Sequence, residues 1–139
     1  MDETKLNNKH IGVIDLGTNT FNLLIAEINE NDYTVFYKKK LAVKLGEGGI
    51  SKNFIAPEAF KRGIEALKNY KSILDTKSVT TYHAVATSAI RSASNGQFFI
   101  TTAFKEVGIH IEIVDGNKEA ELIYKGVKQA IYLGEKPKL

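Results

Sequence analysis

The sequence contains no cysteine, no long apolar run and no recognisable leader. The lack of cysteine among 139 residues excludes a disulfide framework and permits a reducing compartment. No apolar run approaches the roughly 18 residues that a membrane span needs, and no basic and then apolar segment opens the chain. Internal repeats and low-complexity segments are absent as well. Together these absences predict a soluble, cytoplasmic protein with no membrane association.

The apolar content suffices for one core. Hydrophobic residues make up 43% of the chain, and dividing them between two cores would leave both halves marginal. We therefore expect a single domain over residues 1–139. The formal net charge of +3 gives a mild bias toward anionic partners, although most such charge is solvated surface. Nothing in the pattern predicts a specific nucleic-acid site.

Residue patterns predict three strands, followed by helices that alternate with two further strands. The predicted strands are residues 10–16, 21–28, 33–45, 79–87 and 109–114. The third carries Lys38, Lys39 and Lys40, which is typical of an edge strand, and the fourth has the uncharged composition of a central strand. An antiparallel meander followed by crossover units predicts an α/β fold with a mixed five-stranded sheet and helices on its faces.

Three helices are predicted between and after these strands. The first opens at Pro57, and Gly63 on its apolar side allows it to approach the sheet closely. Asn95 caps the second, which Gly108 ends. The third covers residues 117–131.

The turns that follow the first, fourth and fifth strands are expected at one edge of the sheet, where ligands of open α/β sheets bind. The first of these turns is residues 15–20, in which Gly17 lets an anion approach the backbone; a plain hairpin turn explains the same residues. Arg91 follows the fourth strand and can clamp phosphate oxygens or brace a carboxylate such as Asp115. Thr87 and Ser88 beside it are hydrogen-bond donors or turn formers.

Several segments carry a family resemblance. Residues 11–22 (IGVIDLGTNTFN) resemble the first phosphate loop of the Ppx/GppA group of exopolyphosphatases and guanosine pentaphosphate phosphatases, within the actin-like ATPase superfamily. Residues 44–48, residues 57–59 with Arg62, residues 86–91 and residues 116–121 also match the pattern of this family. The resemblance extends from about residue 12 to residue 127 and implies an actin-like, ribonuclease H-like lobe.

The resemblance also implies a reaction, the hydrolysis of phosphoanhydride bonds in inorganic polyphosphate or guanosine pentaphosphate. Arg91 then stabilises charge on the reacting phosphate, and Asp15 holds Mg²⁺ through water. The phosphate-binding residues that it implies are Gly17, Thr18, Asn19, Thr20 and Ser88.

Glu119 matches the general base of the family. Phosphoanhydride hydrolysis needs a carboxylate that orients and deprotonates water, although an acid in the first turn of a helix also stabilises the helix dipole. Glu121 lies two residues further on, points away from Glu119 and can pair with Lys125 on the helix surface. Glu119 is therefore the expected general base.

Members of the family continue into a second lobe with an Asp-x-Gly-Gly-Gly loop, and no such loop occurs in this sequence. We therefore expect one lobe that is inactive alone, with exposed apolar patches that favour homo-oligomers. Two other functions fit the residues: an actin-like kinase lobe, and a non-catalytic lobe that senses phosphate or binds a partner. The histidines His10, His83 and His110 show no metal-ligand spacing.

Overall fold

The structure is a computed structural model that describes residues 9–28, 33–48, 53–86 and 88–113. The first three strands are β1 (Lys9–Leu16), β2 (Thr20–Ile28) and β3 (Tyr33–Ala42). They are followed by helix α1 (Pro57–Thr76), strand β4 (Thr81–Ala86), helices α2 (Ser88–Ser92) and α3 (Gly96–Thr102), and strand β5 (Ile111–Ile113). A π-helical turn, Ala103–Val107, continues α3. The predicted helix at residues 117–131 lies outside the described residues.

These strands form one mixed sheet in the order β3-β2-β1-β4-β5. β1 pairs with β2, and β2 with β3, in antiparallel fashion, whereas β4 is parallel to both β1 and β5. The predicted fold class is therefore confirmed. The helices within the described residues lack the combination of length and hydropathy that a bilayer crossing requires.

β4 is an interior strand, as predicted, with β1 on one side and β5 on the other. It lies beside β1 because the crossover through α1 returns the chain to the side of β1 that β2 leaves open. Only the last three residues of β4 are buried, and Thr81 and His83 are exposed. The expected covering of both faces is therefore found only in the second half of the strand.

β3 lies at the sheet edge among the described strands, as its lysines predict. Lys38 and Lys40 are exposed, while Lys39 is half-buried and donates a hydrogen bond to the side chain of Asn69 on α1. The strand ends at Ala42, three residues earlier than expected. The next residue, Val43, donates its amide to the turn between β1 and β2 instead of continuing the ladder.

The core lies between the sheet and the two longer helices, α1 and α3. It joins alternate residues of β1 and β2 to the inner sides of these helices. The largest fully buried side chains are Tyr70, Phe21, Phe99, Ile11, Ile14, Leu16, Leu23, Ile25, Leu45, Ile55, Leu67 and Leu74.

Two glycines allow close packing, but not as the sequence predicted. A Cβ at Gly63 would lie 2.9 Å from two ring carbons of Phe99 and 3.2 Å from Leu45. This glycine therefore allows α3, which carries Phe99, to pack closely against α1, and it is not the residue that allows α1 to approach the sheet. The close approach of α1 to the sheet depends on Gly12 in β1, where a Cβ would lie 2.7 Å from Leu74. The glycine that allows α1 to pack closely against the sheet is therefore in β1, not in the helix.

The ends of α3 agree with the prediction in position and differ in one contact. Asn95 occupies the N-cap position, yet its side chain makes no capping hydrogen bond and contacts the backbone of Ile55 instead. Gly108 ends the π-helical turn with φ of 86°, a left-handed conformation that glycine adopts without strain.

Candidate functional site

The carboxyl ends of β1, β4 and β5 lie side by side. Leu16 pairs with Ala86, and Ala86 pairs with Ile113, so the three parallel strands finish in one row. The turn after β1 and the start of α2 therefore border the same edge, as the sequence predicted. Thr87 and the residues after Ile113, including Asp115 and Glu119, lie outside the described residues.

The hairpin turn between β1 and β2 is closed by its own backbone. The amide of Gly17 donates to the carbonyl oxygen of Thr20 at 3.0 Å, and a Cβ at Gly17 would lie 2.9 Å from that oxygen. A side chain at this position would crowd the turn, which accounts for the glycine. The Gly17 amide is thus already engaged within the turn, and an anion would be bound by other groups there.

Three further hydrogen bonds fix this turn to the segment that follows β3. The carbonyl oxygen of Asn19 accepts from the amides of Val43, at 2.9 Å, and Lys44, at 2.8 Å. The carbonyl oxygen of Thr18 accepts from the amide of Leu45 at 2.8 Å. The position of the turn therefore depends on the conformation of residues 43–45.

Asp15, the penultimate residue of β1, has an unsatisfied oxygen. Its Oδ1 atom is buried and has no hydrogen-bond partner among the described residues. The side chain lines a cavity of about 360 Å³ together with Asn22, Lys38 and Lys40. A buried carboxylate oxygen without a partner is costly, and a hydrated cation would satisfy it. The state of this oxygen is compatible with the predicted role of Asp15 in holding Mg²⁺ through water, which stays a prediction.

Asp15 is the sole carboxylate that the described residues bring to this edge in such a state. No group of three His, Cys, Asp or Glu side chains in the described part of the chain is arranged to hold a metal ion. Of the three histidines, His83 is exposed in β4 and His110 packs its ring edge-on against Phe104. If a cation binds at Asp15, its further protein ligands would therefore come from outside the described residues.

Helix α2 begins at this edge of the sheet and includes two of the predicted site residues, Ser88 and Arg91. This helix begins directly after the end of β4 and carries Arg91, whose side chain is exposed, in its last turn. The fold therefore starts α2 at the same edge as the turn at residues 17–20, although the two segments are distant in sequence.

Arg62 donates hydrogen bonds to backbone carbonyl oxygens near the site. From α1, the Nε atom of Arg62 donates to the carbonyl oxygen of Val43 at 2.7 Å, and Nη2 donates to that of Lys44 at 3.1 Å. Nη2 also pairs with Glu47 at 2.9 Å. Arg62 thus clamps the segment that holds the turn. Sequence reasoning marked Arg62 and residues 44–48 only as family matches, because no local pattern connects an arginine to carbonyl groups 18 or 19 positions earlier.

Comparisons with known proteins identify the family of this chain. Residues 24–139 match the profile of the Ppx/GppA phosphatase family. An exopolyphosphatase from Cytophaga hutchinsonii has a similar structure, with a TM-score of 0.79 and 49% sequence identity over 87% of this chain and 39% of that chain. A Ppx/GppA family member from Aquifex aeolicus gives a TM-score of 0.75 and 28% identity over 78% of this chain and 35% of its own.

A curated relative is larger still. The bifunctional 3-dehydroquinate synthase/phosphatase of Fusobacterium nucleatum is 38% identical over 121 residues, which are 82% of this chain and 18% of that protein. The chain thus spans less than half the length of these relatives. The profile match and the two solved structures together show that this chain belongs to the Ppx/GppA phosphatase family.

Proposed function

We propose that this chain is the phosphate-binding lobe of a hydrolase that releases phosphate from inorganic polyphosphate or guanosine pentaphosphate. The observation that supports this most strongly is the common edge of β1, β4 and β5, where the turn at residues 17–20 begins and where helix α2, which carries Arg91, starts. Similarity to an exopolyphosphatase at 49% identity makes polyphosphate the first substrate to test.

In this proposal the phosphate binds at the turn formed by Gly17, Thr18, Asn19 and Thr20, with Ser88 as a further donor. Asp15 holds Mg²⁺ through water, since its Oδ1 is a buried acceptor that has no partner among the described residues. The bound ion would neutralise charge on the phosphate oxygens. Arg91 supplies a planar guanidinium group that binds two oxygens of the phosphate while the bond breaks.

Glu119 is the proposed general base. It would accept a proton from the attacking water and orient that water opposite the leaving phosphate. Its assignment rests on the match of residues 116–121 to the family. A second lobe that closes over the phosphate, a cytoplasmic location and self-association through apolar surface belong to the same proposal.

The test is phosphate release by the full-length protein from polyphosphate and from guanosine pentaphosphate, with Mg²⁺ and after its removal by a chelator. Glu119→Gln should lower kcat by roughly 10² or more with substrate affinity nearly unchanged. Glu121→Gln is the matched control, because it removes the same charge two residues away and should leave kcat within a few-fold.

The alternatives give different products. A phosphorylated acceptor in place of free phosphate would identify a kinase, and tight binding without turnover would identify a phosphate-sensing lobe. If Glu119→Gln retains activity within a few-fold of the parent, Glu119 is not the base, and its role is to stabilise a helix end.

A further inference from the structure

A second cleft borders the turn at residues 17–20, on the side of the segment after β3. It has a volume of about 550 Å³ and is open to solvent. Its lining residues are Asn19, Thr20, Ala42, Lys44, Gly46 and Glu47. Two of them, Asn19 and Thr20, belong to the proposed phosphate-binding turn, so a ligand held by the turn has this cleft immediately beside it.

Lys44 in this cleft has an unusual backbone conformation. Its φ of 51° is in the left-handed region, which a lysine adopts at a cost of roughly 1 kcal/mol or more unless the surroundings impose it. Here both sides of the residue are held: its amide donates to Asn19, and its carbonyl oxygen accepts from Arg62. The structure therefore maintains a strained lysine against the turn.

The charges in the cleft are unevenly paired. Glu47 is bound by Arg62 at 2.9 Å, whereas Lys44 forms no ion pair within the described part of the chain. Its side chain is exposed. Because Arg62 offsets the acid, the ammonium group of Lys44 sets the sign of the potential in the cleft.

We propose that this cleft is a second anion subsite, in which Lys44 binds the phosphoryl group next to the one held by the turn. Arg62 is its positioning residue, since it holds the backbone of Lys44 and keeps Glu47 engaged. The inference rests on the proposed function, because it takes a chain of linked phosphates as the ligand. An ammonium group suits such a chain, since it binds phosphate as a point charge without fixing the orientation of the oxygens.

The experiment compares a one-phosphate and a three-phosphate ligand on the full chain. Orthophosphate and tripolyphosphate are titrated by calorimetry at constant ionic strength into the parent and into Lys44→Asn. Asparagine removes the charge and tolerates the left-handed conformation better than most residues, so the fold is retained. Affinity for tripolyphosphate should fall about three- to tenfold, as for loss of one partly exposed charged contact, while affinity for orthophosphate stays unchanged.

Lys61→Gln is the matched control for net charge. Lys61 precedes Arg62 on α1 but lines an apolar groove beside Phe54 and Phe98, away from the turn. It should leave both affinities unchanged. Equal losses of tripolyphosphate affinity in the two lysine variants would overturn the subsite, because they would indicate a general charge effect.

The role of Arg62 has its own variants. Arg62→Ala should weaken the binding of both ligands, because the turn loses its support and Glu47 is freed to repel the anion. Glu47→Ala in the Arg62→Ala background should restore part of the tripolyphosphate affinity, a recovery that a purely structural arginine would not show. No recovery would overturn the positioning role.

Failure of the proposed function gives a different result. If the parent binds neither orthophosphate nor tripolyphosphate, the phosphate-binding lobe itself is refuted. If the parent binds both equally and Lys44→Asn changes nothing, the turn is retained as the phosphate site and the second subsite falls.

Discussion

The side-chain amide of Asn95 forms two hydrogen bonds with the backbone of Ile55, 40 residues earlier in the chain. The amide of Ile55 donates to Oδ1 at 2.9 Å, and Nδ2 donates to the carbonyl oxygen of Ile55 at 3.0 Å. Ile55 lies just before α1, and Asn95 just before α3, so this pair fixes the starts of two helices relative to each other.

Asn95→Ala should lower the free energy of unfolding by about 1–3 kcal/mol, because both backbone groups of Ile55 lose a partner in a part-buried site. Asn95→Asp should be similarly destabilising at neutral pH, since a carboxylate oxygen then faces the Ile55 carbonyl oxygen. Urea denaturation measures both. Asn69→Ala is the control, because among the described residues the Asn69 side chain accepts one exposed hydrogen bond, from Lys39. An effect as large as that of Asn95→Ala would contradict this account.

Tyr70→Phe should destabilise the fold by about 1 kcal/mol. The Tyr70 hydroxyl donates to the carbonyl oxygen of Phe21 at 2.7 Å and lies 3.2 Å from that of Lys39, which joins α1 to β2 and β3. The side chain has no exposed surface. Equal stability of the two proteins at neutral pH would show that this bond contributes nothing net.

The same residue predicts a loss of stability at alkaline pH. Burial raises the pKa of Tyr70 from 10.0 to about 12. Between these values the folded state retains a proton that the unfolded state releases, so the free energy of unfolding falls as the pH rises from about 10 to about 12. Urea denaturation at several pH values in this range should show that the free energy of unfolding falls less steeply with pH for Tyr70→Phe than for the parent. Identical slopes would contradict a raised pKa.

Gly63→Ala should destabilise the protein by about 1–3 kcal/mol through overpacking, because the new methyl group would meet the ring of Phe99. Helix propensity alone favours alanine over glycine by about 1 kcal/mol and predicts the opposite sign. Thermal unfolding therefore decides between the two effects. Ser72→Ala, at an exposed position of α1, is the control and should change stability little. A gain in Tm for Gly63→Ala would show that Phe99 moves aside without cost.

Arg91→Ala in the full-length protein should lower kcat/KM by roughly 10² or more, as for loss of a group that stabilises charge in the transition state. Arg91→Lys should recover only part of the activity, since lysine keeps the charge but lacks the planar fork. Steady-state phosphate release measures both. Complete recovery with lysine would contradict a bidentate contact at this position.

Local patterns in the sequence predicted most of the elements. The apolar runs in residues 10–28 identified β1 and β2, the lysines identified β3 as an edge strand, and Gly108 marked the end of the second predicted helix. Each of these signals depends only on residues that are close in sequence and on their exposure to solvent, so it can be recognised from the sequence alone. The motif around Gly17 located the hairpin turn for the same reason.

The tertiary structure decided what each element contacts. Gly12 and Leu74 approach each other, and Arg62 reaches the carbonyl groups after β3, through packing between distant segments. The apolar face of a helix predicts that the face is buried, but it does not predict which strand or aromatic ring packs against it. For the candidate site, the sequence by itself determined the residue types at the strand ends; only the parallel register of β1, β4 and β5 brought those ends to one edge, because register is set by the whole sheet.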